Sequence, residues 1–285
     1  KTLGLRLVKR TVNQDDPGAY HLFYGDALGA PGSDITFFDW PWAAPARAGR
    51  ATVARTTFRV PPGSLEFWAQ RLRDCRDIRQ DDDRIIFADP EGQCLELKDD
   101  SGLPGGGSPW AAEVPHEYAI RGILGVSIES AKPGGTMRVL TEVLGYTRTS
   151  DEGFESSDED RFARIELLPD SGGGMGRVGA GGVHHVAFRA TGPERLVEFQ
   201  EQIESLGMST SGLVDRFWFK SLYFREPGGI LFEIATDGPG FAADEHVEHL
   251  GERLVLPPFL EPRRQEIEAR LKPLPKLKER ADQPA

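Results

Sequence analysis

The chain has 285 residues, of which 39% are hydrophobic and 28% charged, with a formal net charge of −11. Such a composition is ordinary for a soluble globular protein able to bury a large core. The acidic balance argues against a nucleic-acid binder, whose affinity comes from a basic face. No apolar run approaches the ~18 residues that a membrane-spanning helix needs. Lys1 to Arg10 show no signal-peptide pattern. Two cysteines, Cys75 and Cys94, are too few for a disulfide framework and read as small core residues in a reducing cytoplasm.

Taken in chain order, the sequence reads as four related units. The first, 1–45, contains "LGLRLVKRT", "HLFYGD" and "DITFFDW", all strand-like. The second, 50–100, opens with the strand "VARTTFRV", continues with the helix "GSLEFWAQRLRD" and closes on "FADPEGQCLEL". "SGLPGGGSPW" then begins a Gly/Pro-rich linker over 101–119. The third unit, 120–170, has a strand in "GILGVSIES", a helix in "GGTMRVLTEV" and a solvated loop in "DEGFESSDED". In the fourth, 181–236, Val183 to Ala190 is predicted as a strand. "GPERLVEFQEQIESLG" follows as a helix with Leu196, Phe199, Ile203 and Leu206 on one face and Gly207 at its end. "WFKSLYFREPGGILFEIAT" alternates around a Pro-Gly turn and reads as a hairpin. From Asp237 a tail runs to Ala285, with a short amphipathic helix in "EPRRQEIEARL" and a loosely ordered end.

The repeat is visible within the chain itself. "FADPEGQCLEL" and "FREPGGILFEI" share F-x-[DE]-P-x-G-x-x-x-E-[LI], 137 residues apart (87 to 224). "VARTTFRV" matches "VHHVAFRA" at 130 residues (53 to 183), and "LGLRLVKRT" matches "LGYTRTSDE" at 141 (3 to 144). On this register the first unit lacks its opening strand and most of its helix within the sequence. The expected architecture is α+β: four βαβββ modules forming two half-open mixed β-barrels, the first module with the fourth and the second with the third. As domains this gives 1–100 for the first two modules, 120–236 for the last two, and 237–285 for the tail.

Comparing the copies localises the chemistry. His184 and His185 open the fourth unit and Glu233 lies on its last strand; the second unit has Ala54, Arg55 and Glu96 in those places. Both copies keep the Glu, but only one has histidines, so a site belongs to the fourth unit and Glu96 reads as solvated or structural. In an ideal strand His184 and His185 point to opposite faces. Two imidazoles and one carboxylate on one face of a metal suit Fe(II) and oxygen chemistry. One outward His and Glu233 come from the fourth unit. The second His has to come from another opening strand, and neither "GILGVSIES" nor "VARTTFRV" contains one. That leaves the first unit's opening strand, outside this sequence.

"HLFYGD", "GVHHVAF", "FREPGGILFEIATD" and "HLGERLVLPPFLEPRRQEIEARL" resemble the glyoxalase/extradiol-dioxygenase superfamily, the vicinal oxygen chelate fold. Within it the chain is similar, over nearly its whole length, to four-module ring-cleaving dioxygenases of hydroquinones. The resemblance implies His185 and Glu233 as Fe(II) ligands, with Mn(II) as the alternative metal, and a third ligand, a His of the first module, outside this sequence. It further implies Arg216 and Tyr223 beside the substrate. In a ring-cleaving reaction Tyr223 and His184 would then donate or accept protons, His184 otherwise serving as an outer partner of the metal site. Val126 stands where the catechol-cleaving branch has a His. The expected partners are a small aromatic diol and O2, with neither nucleic acid nor membrane, and the chain works alone or as a homo-oligomer. The bland readings are a packing role for His184, an ordinary strand aromatic at Tyr223 and an Asp215 ion pair for Arg216. His21, His116, His246 and His249 read as structural or exposed, although the last two could reach the barrel mouth.

Two other functions fit the fold. A glyoxalase-type lyase or isomerase would want a second carboxylate, where the first unit has Thr36. A non-catalytic protein that sequesters small aromatics would need no complete metal centre.

Overall fold

A computed structural model describes residues 2–158, 161–169 and 172–274. Its strands form three sheets. The first is β1(Arg6–Val12), β2(Tyr20–Gly25) and β3(Ile35–Phe38), in that order and antiparallel. The second holds eight strands: β4(Thr52–Val60), β5(Arg76–Gln80), β6(Arg84–Ala88), β7(Cys94–Asp99), β8(Gly122–Glu129), β9(Thr147–Arg148), β10(Gly153–Asp158) and β11(Arg161–Leu167). Their spatial order is β5-β6-β7-β4-β8-β11-β10-β9. The third sheet is β12(Val186–Ala190), β15(Leu231–Thr236), β14(Lys220–Arg225) and β13(Thr210–Asp215). Among the described residues no sheet closes on itself, and the strands expected in half-open barrels form open sheets. The α-helices of the described residues are α1(Leu65–Arg71), α2(Pro133–Arg138), α3(Pro193–Ser205) and α4(Arg264–Arg270), of which only α3 exceeds two turns.

Local chemistry explains these elements. Pro193 starts α3, where a missing N–H costs nothing. Leu196, Phe199 and Ile203 recur at helical spacing and are buried, and Gly207 follows at φ +76°, a conformation only glycine adopts freely. The repeated F-x-[DE]-P-x-G motif is a turn closed by its own carboxylate. Asp89 accepts from the backbone N–H groups of Glu91, Gly92 and Gln93, and Glu226 accepts from those of Gly228 and Ile230. Gly92 and Gly229 take φ +100° and +99° at the same motif position.

The hairpin strands β14 and β15 pair antiparallel, while β12 lies parallel to β15. The second unit repeats this with β6, β7 and β4. Between them, β4 and β8 pair antiparallel and join two sets of strands into one sheet. The first and third sheets have no such junction: β3 and β12 are sheet edges among the described residues.

One core packs α3 and the third sheet against Ile128, Leu140 and Phe154; a second surrounds Trp68, Phe58 and Leu97. A third, with Val8, Phe23, Trp218 and Phe241, binds the first sheet to the third sheet and to the tail. Within it Lys9 is fully buried, which is tolerable because it pairs with Asp244 at 2.8 Å and with Glu245.

Several details depart from the sequence reading. "DEGFESSDED" is largely the strand β10 rather than a loop, because its backbone pairs with β11 residue for residue. Strand β12 begins only at Val186, so His184 and His185 precede the ladder. Both cysteines are half-buried and free, not core. The end of the tail, 275–285, lies outside the described residues. No helix among those described is long and apolar enough to cross a membrane.

Candidate active site

The third sheet sets the site. Glu233, on β15, lies opposite Tyr223 on β14 and beside Ala187 on β12, two residues after His185. This register brings His185 Nε2 to 2.9 Å from Glu233 Oε2. Ser221 Oγ donates to the other carboxylate oxygen at 2.6 Å. Glu233 is 4% exposed. Burial alone would raise its carboxyl, but hydrogen bonds from His185, Ser221 and Tyr223 hold it below the ordinary range, as a carboxylate. Burial, helped by the Glu233 charge, pushes the Tyr223 phenol well up and keeps it protonated.

Arg216 follows β13 in a tight bend, where the Asp215 carboxylate accepts from the Phe217 N–H and Phe217 takes φ +72°. Its partner is not Asp215 but Asp15, across from the first sheet, at 2.9 and 3.2 Å. Gln14 also donates to the Arg216 carbonyl. The guanidinium stands 5.3 Å over the Tyr223 ring. Burial lowers it, but hydrogen bonds to Asp15 and Tyr223 more than offset that and raise it.

His184 and His185 face each other, Nδ1 to Nδ1 at 2.9 Å. The strict alternation expected of a strand does not apply, because neither residue is held in a ladder. His184 sits edge-on to Phe38 and Trp40, 5.9 and 5.4 Å away. Burial, and next the neighbouring His185, lower its imidazole.

His21, read from sequence as structural or exposed, belongs to this site. It pairs with Phe38 across β2 and β3 and stacks on that ring at 4.1 Å. Its Nε2 is buried with no hydrogen-bond partner. Burial, then the closeness of His185, lowers its pKa to about 3, so the ring is neutral. The strand signal placed His21 but could not show which unit it faces. His116, His246 and His249 are exposed, and none lines the cavity. That cavity, about 1390 Å³, is bounded by His21, His184, His185, Arg216, Tyr223 and Glu233 together with aromatic rings.

Among the described residues no group of three or more His, Cys, Asp or Glu is arranged to hold a metal ion. Two donors of the right chemistry do converge. Donors bonded at about 2.1 Å in adjacent coordination positions lie about 3 Å apart, close to the 2.9 Å seen between His185 and Glu233. The contact with His184 uses Nδ1 of His185, so Nε2 is the nitrogen turned to Glu233, and a metal there would replace the His185–Glu233 hydrogen bond while His184 orients the ring.

Residues 6–234 match the model of the Glyoxalase/Bleomycin resistance protein/Dioxygenase superfamily. The ring-cleaving dioxygenase MhqA of Bacillus subtilis (strain 168) is 42% identical, covering 96% of this chain and 92% of the relative. A chlorohydroquinone/hydroquinone 1,2-dioxygenase of Sphingobium indicum is 29% identical over 92% and 86%. The crystal structure of a dioxygenase from Bacillus subtilis subsp. subtilis str. 168 superposes with a TM-score of 0.87 at 39% identity, covering 97% of this chain and 92% of the other. Glyoxalase I from Zea mays shares the fold at a TM-score of 0.60 and 14% identity, over 86% and 88%. With these relatives and this site, the chain is a dioxygenase-type enzyme and belongs to the glyoxalase/bleomycin resistance/dioxygenase superfamily.

Proposed function

We propose that the enzyme is an Fe(II)-dependent ring-cleaving dioxygenase that opens hydroquinone-like aromatic diols with O2, placing both oxygen atoms in the product. One observation carries this reading: an ionised carboxylate and an imidazole nitrogen converge beside a protonated phenol and a guanidinium, in an aromatic-walled cavity. The relatives named for ring cleavage and for hydroquinone support it.

His185 and Glu233 would hold the metal. The third donor would be an imidazole of the first unit's opening strand, outside this sequence, in the gap between β3 and β12. A strand there would run parallel to β3 and antiparallel to β12, as β4 and β8 continue the sheet between β7 and β11. This arrangement also pairs the first module with the fourth. Bound Fe(II), or Mn(II) in its place, supplies electron transfer between ring and O2.

The chain's own residues do the rest. Aromatic rings around the cavity exclude water and orient the diol ring. Arg216, permanently charged and tethered by Asp15, steadies an anionic substrate oxygen. Tyr223 holds a proton that it can donate at its hydroxyl, and His184 accepts one at a ring nitrogen. The lyase reading lacks its second carboxylate: Thr36 pairs with Phe23 in the first sheet much as Glu233 pairs with Tyr223 in the third.

The test is anaerobic loading of the natural protein with Fe(II), followed by oxygen uptake and ring-opening absorbance over a panel of hydroquinones. Stoichiometric O2 consumption with 18O2 label in the opened product is expected. An iron-loaded protein that turns over none of the diols overturns the proposal and leaves a binding protein.

A further inference from the structure

The eight-stranded sheet contains a second constellation in the same register as the candidate centre. On β4 and β7, Thr57 pairs with Glu96, as Ala187 pairs with Glu233 on β12 and β15. Arg55 therefore stands two residues before the pairing point, where His185 stands in the other copy. The distances agree as well: Arg55 Nε lies 2.8 Å from Glu96 Oε2, against 2.9 Å for His185 and Glu233. A third glutamate, Glu166 on β11, pairs with Ser127 of β8 and accepts from Arg55 Nη2 at 2.6 Å. Ser127 donates to Glu166 as Ser221 does to Glu233.

We propose that Arg55 is a built-in cation: its guanidinium takes, between Glu96 and Glu166, the place that a divalent metal takes beside His185 and Glu233, and it confines metal binding to one half of the chain. The correspondence with a metal position rests on the proposed function; the internal ion cluster does not.

Three observations support it. The Glu96 side chain is 3% exposed, and its Oε2 has no aligned hydrogen-bond donor. Arg55 Nε is likewise buried without an aligned acceptor, so the two meet as charges at close range rather than as a hydrogen-bonded pair. Of the other cations nearby, Arg84 reaches Glu96 Oε1 only at 3.9 Å and Lys98 pairs with Asp83. Two carboxylates, one deeply buried, converging on a single charged group form the oxygen-donor half of a divalent-metal site. An arginine cannot lose its proton in that place, so the charge is permanent and the position is closed to metal. Had the residue at 55 been histidine, the cluster would offer one imidazole and two carboxylates.

The experiment uses the full chain carrying His185→Ala and Glu233→Gln, which silences the candidate centre. Binding of Mn2+ and Co2+ is measured by equilibrium dialysis and by the visible spectrum of bound Co2+, with far-UV circular dichroism as the folding control. With Arg55 intact, no metal is expected at this cluster. Adding Arg55→His should bring one ion per chain, and adding Glu96→Gln to that variant should abolish it. A folded Arg55→His variant that binds no metal overturns the proposal. If Arg55→His does not fold, the silenced chain with Arg55 intact decides: metal that binds there and is lost on Glu96→Gln or Glu166→Gln overturns it, and none bound supports it. Failure of the proposed function would show separately, as a natural protein that binds no metal through His185 and Glu233.

Discussion

The eight-stranded sheet and the pair formed by the three- and four-stranded sheets are two treatments of one repeated pattern. In the first, β4 and β8 pair antiparallel across the middle, with two register shifts, and the ladder joins two sets of strands into one sheet. Its glutamate in the matching register, Glu96, meets an arginine and does not line the cavity, although Ile123 to Val126 and Phe162 to Ile165 of the same sheet do. In the second, the sheets meet through side chains around Val8, Phe23 and Trp218, and the matching glutamate, Glu233, faces the cavity. The same glutamate thus becomes a structural anion or a site carboxylate according to what it faces.

The sharpest break in the comparison comes from treating the two glutamates alike. Glu233→Gln or His185→Ala should remove metal binding and lower kcat/KM by at least about 10³-fold, since activity depends on the ion. Glu96→Gln should leave both unchanged. It should instead cost about 2 kcal/mol in urea unfolding, less than a fully buried pair, because Arg55 and Glu166 are partly exposed. Metal content, kcat/KM and the urea midpoint of the three variants check this. Equal losses of activity from Glu96→Gln and Glu233→Gln would erase the distinction between the halves.

Tyr223 sharpens it next. Ile86 takes the corresponding place opposite Glu96, so the phenol is particular to the site half. Tyr223→Phe keeps the ring under Arg216 and removes only the hydroxyl. A drop in kcat of roughly 10²-fold, with metal content unchanged, is expected if the hydroxyl moves a proton. An unchanged kcat would reduce Tyr223 to packing.

How much of this was legible depended on range. The turn motif, α3 with its buried face, the hairpin and the repeat register were readable because each rests on neighbouring residues: Glu226 closing its own turn, or Leu196, Phe199 and Ile203 on one helix face. The pair Arg55 and Glu96 could be set beside His185 and Glu233 from the offsets alone. Long-range partners were not readable. Nothing local to "HLFYGD" shows that His21 faces the fourth unit, nor that Asp15 rather than Asp215 holds Arg216. The alternation assumed for His184 and His185 failed because it holds only within a ladder, which starts at Val186.

His21 offers a thermodynamic test of the same boundary. Its Nε2 is buried without a partner, and its rings on either side, Phe23 and Phe38, would accept a phenyl group. In the metal-free protein His21→Phe should therefore stabilise the fold by about 1 kcal/mol. The pH dependence has a definite sign. The folded pKa is about 3 against an ordinary 6.5, so the unfolded chain binds the proton more readily. The stability linked to His21 is whole above about pH 6.5 and is lost as the pH falls towards 3, by up to about 1.4 kcal/mol per unit. His21→Phe removes that loss, so its urea midpoint should fall less steeply between pH 6 and pH 4. Parallel profiles for the two proteins would show that the ring is not held neutral.

The smallest effect is expected at the seam between the first and third sheets. Asp15 holds Arg216 in a two-pronged ion pair, but its own side chain is 73% exposed. Water screens such a pair, and its loss should cost at most about 0.5 kcal/mol of stability. The consequence for catalysis is different in kind. Arg216 is also held by its place over Tyr223 and by Gln14 at its carbonyl, so Asp15→Asn leaves it in the site with more freedom. Looser positioning of a substrate-binding charge raises KM by a few-fold and leaves kcat nearly unchanged, because the charge itself remains. Steady-state kinetics of Asp15→Asn beside Arg216→Lys separate the two contributions. A fall in kcat with KM constant would mean that Asp15 tunes the chemistry through Arg216 rather than merely aiming it.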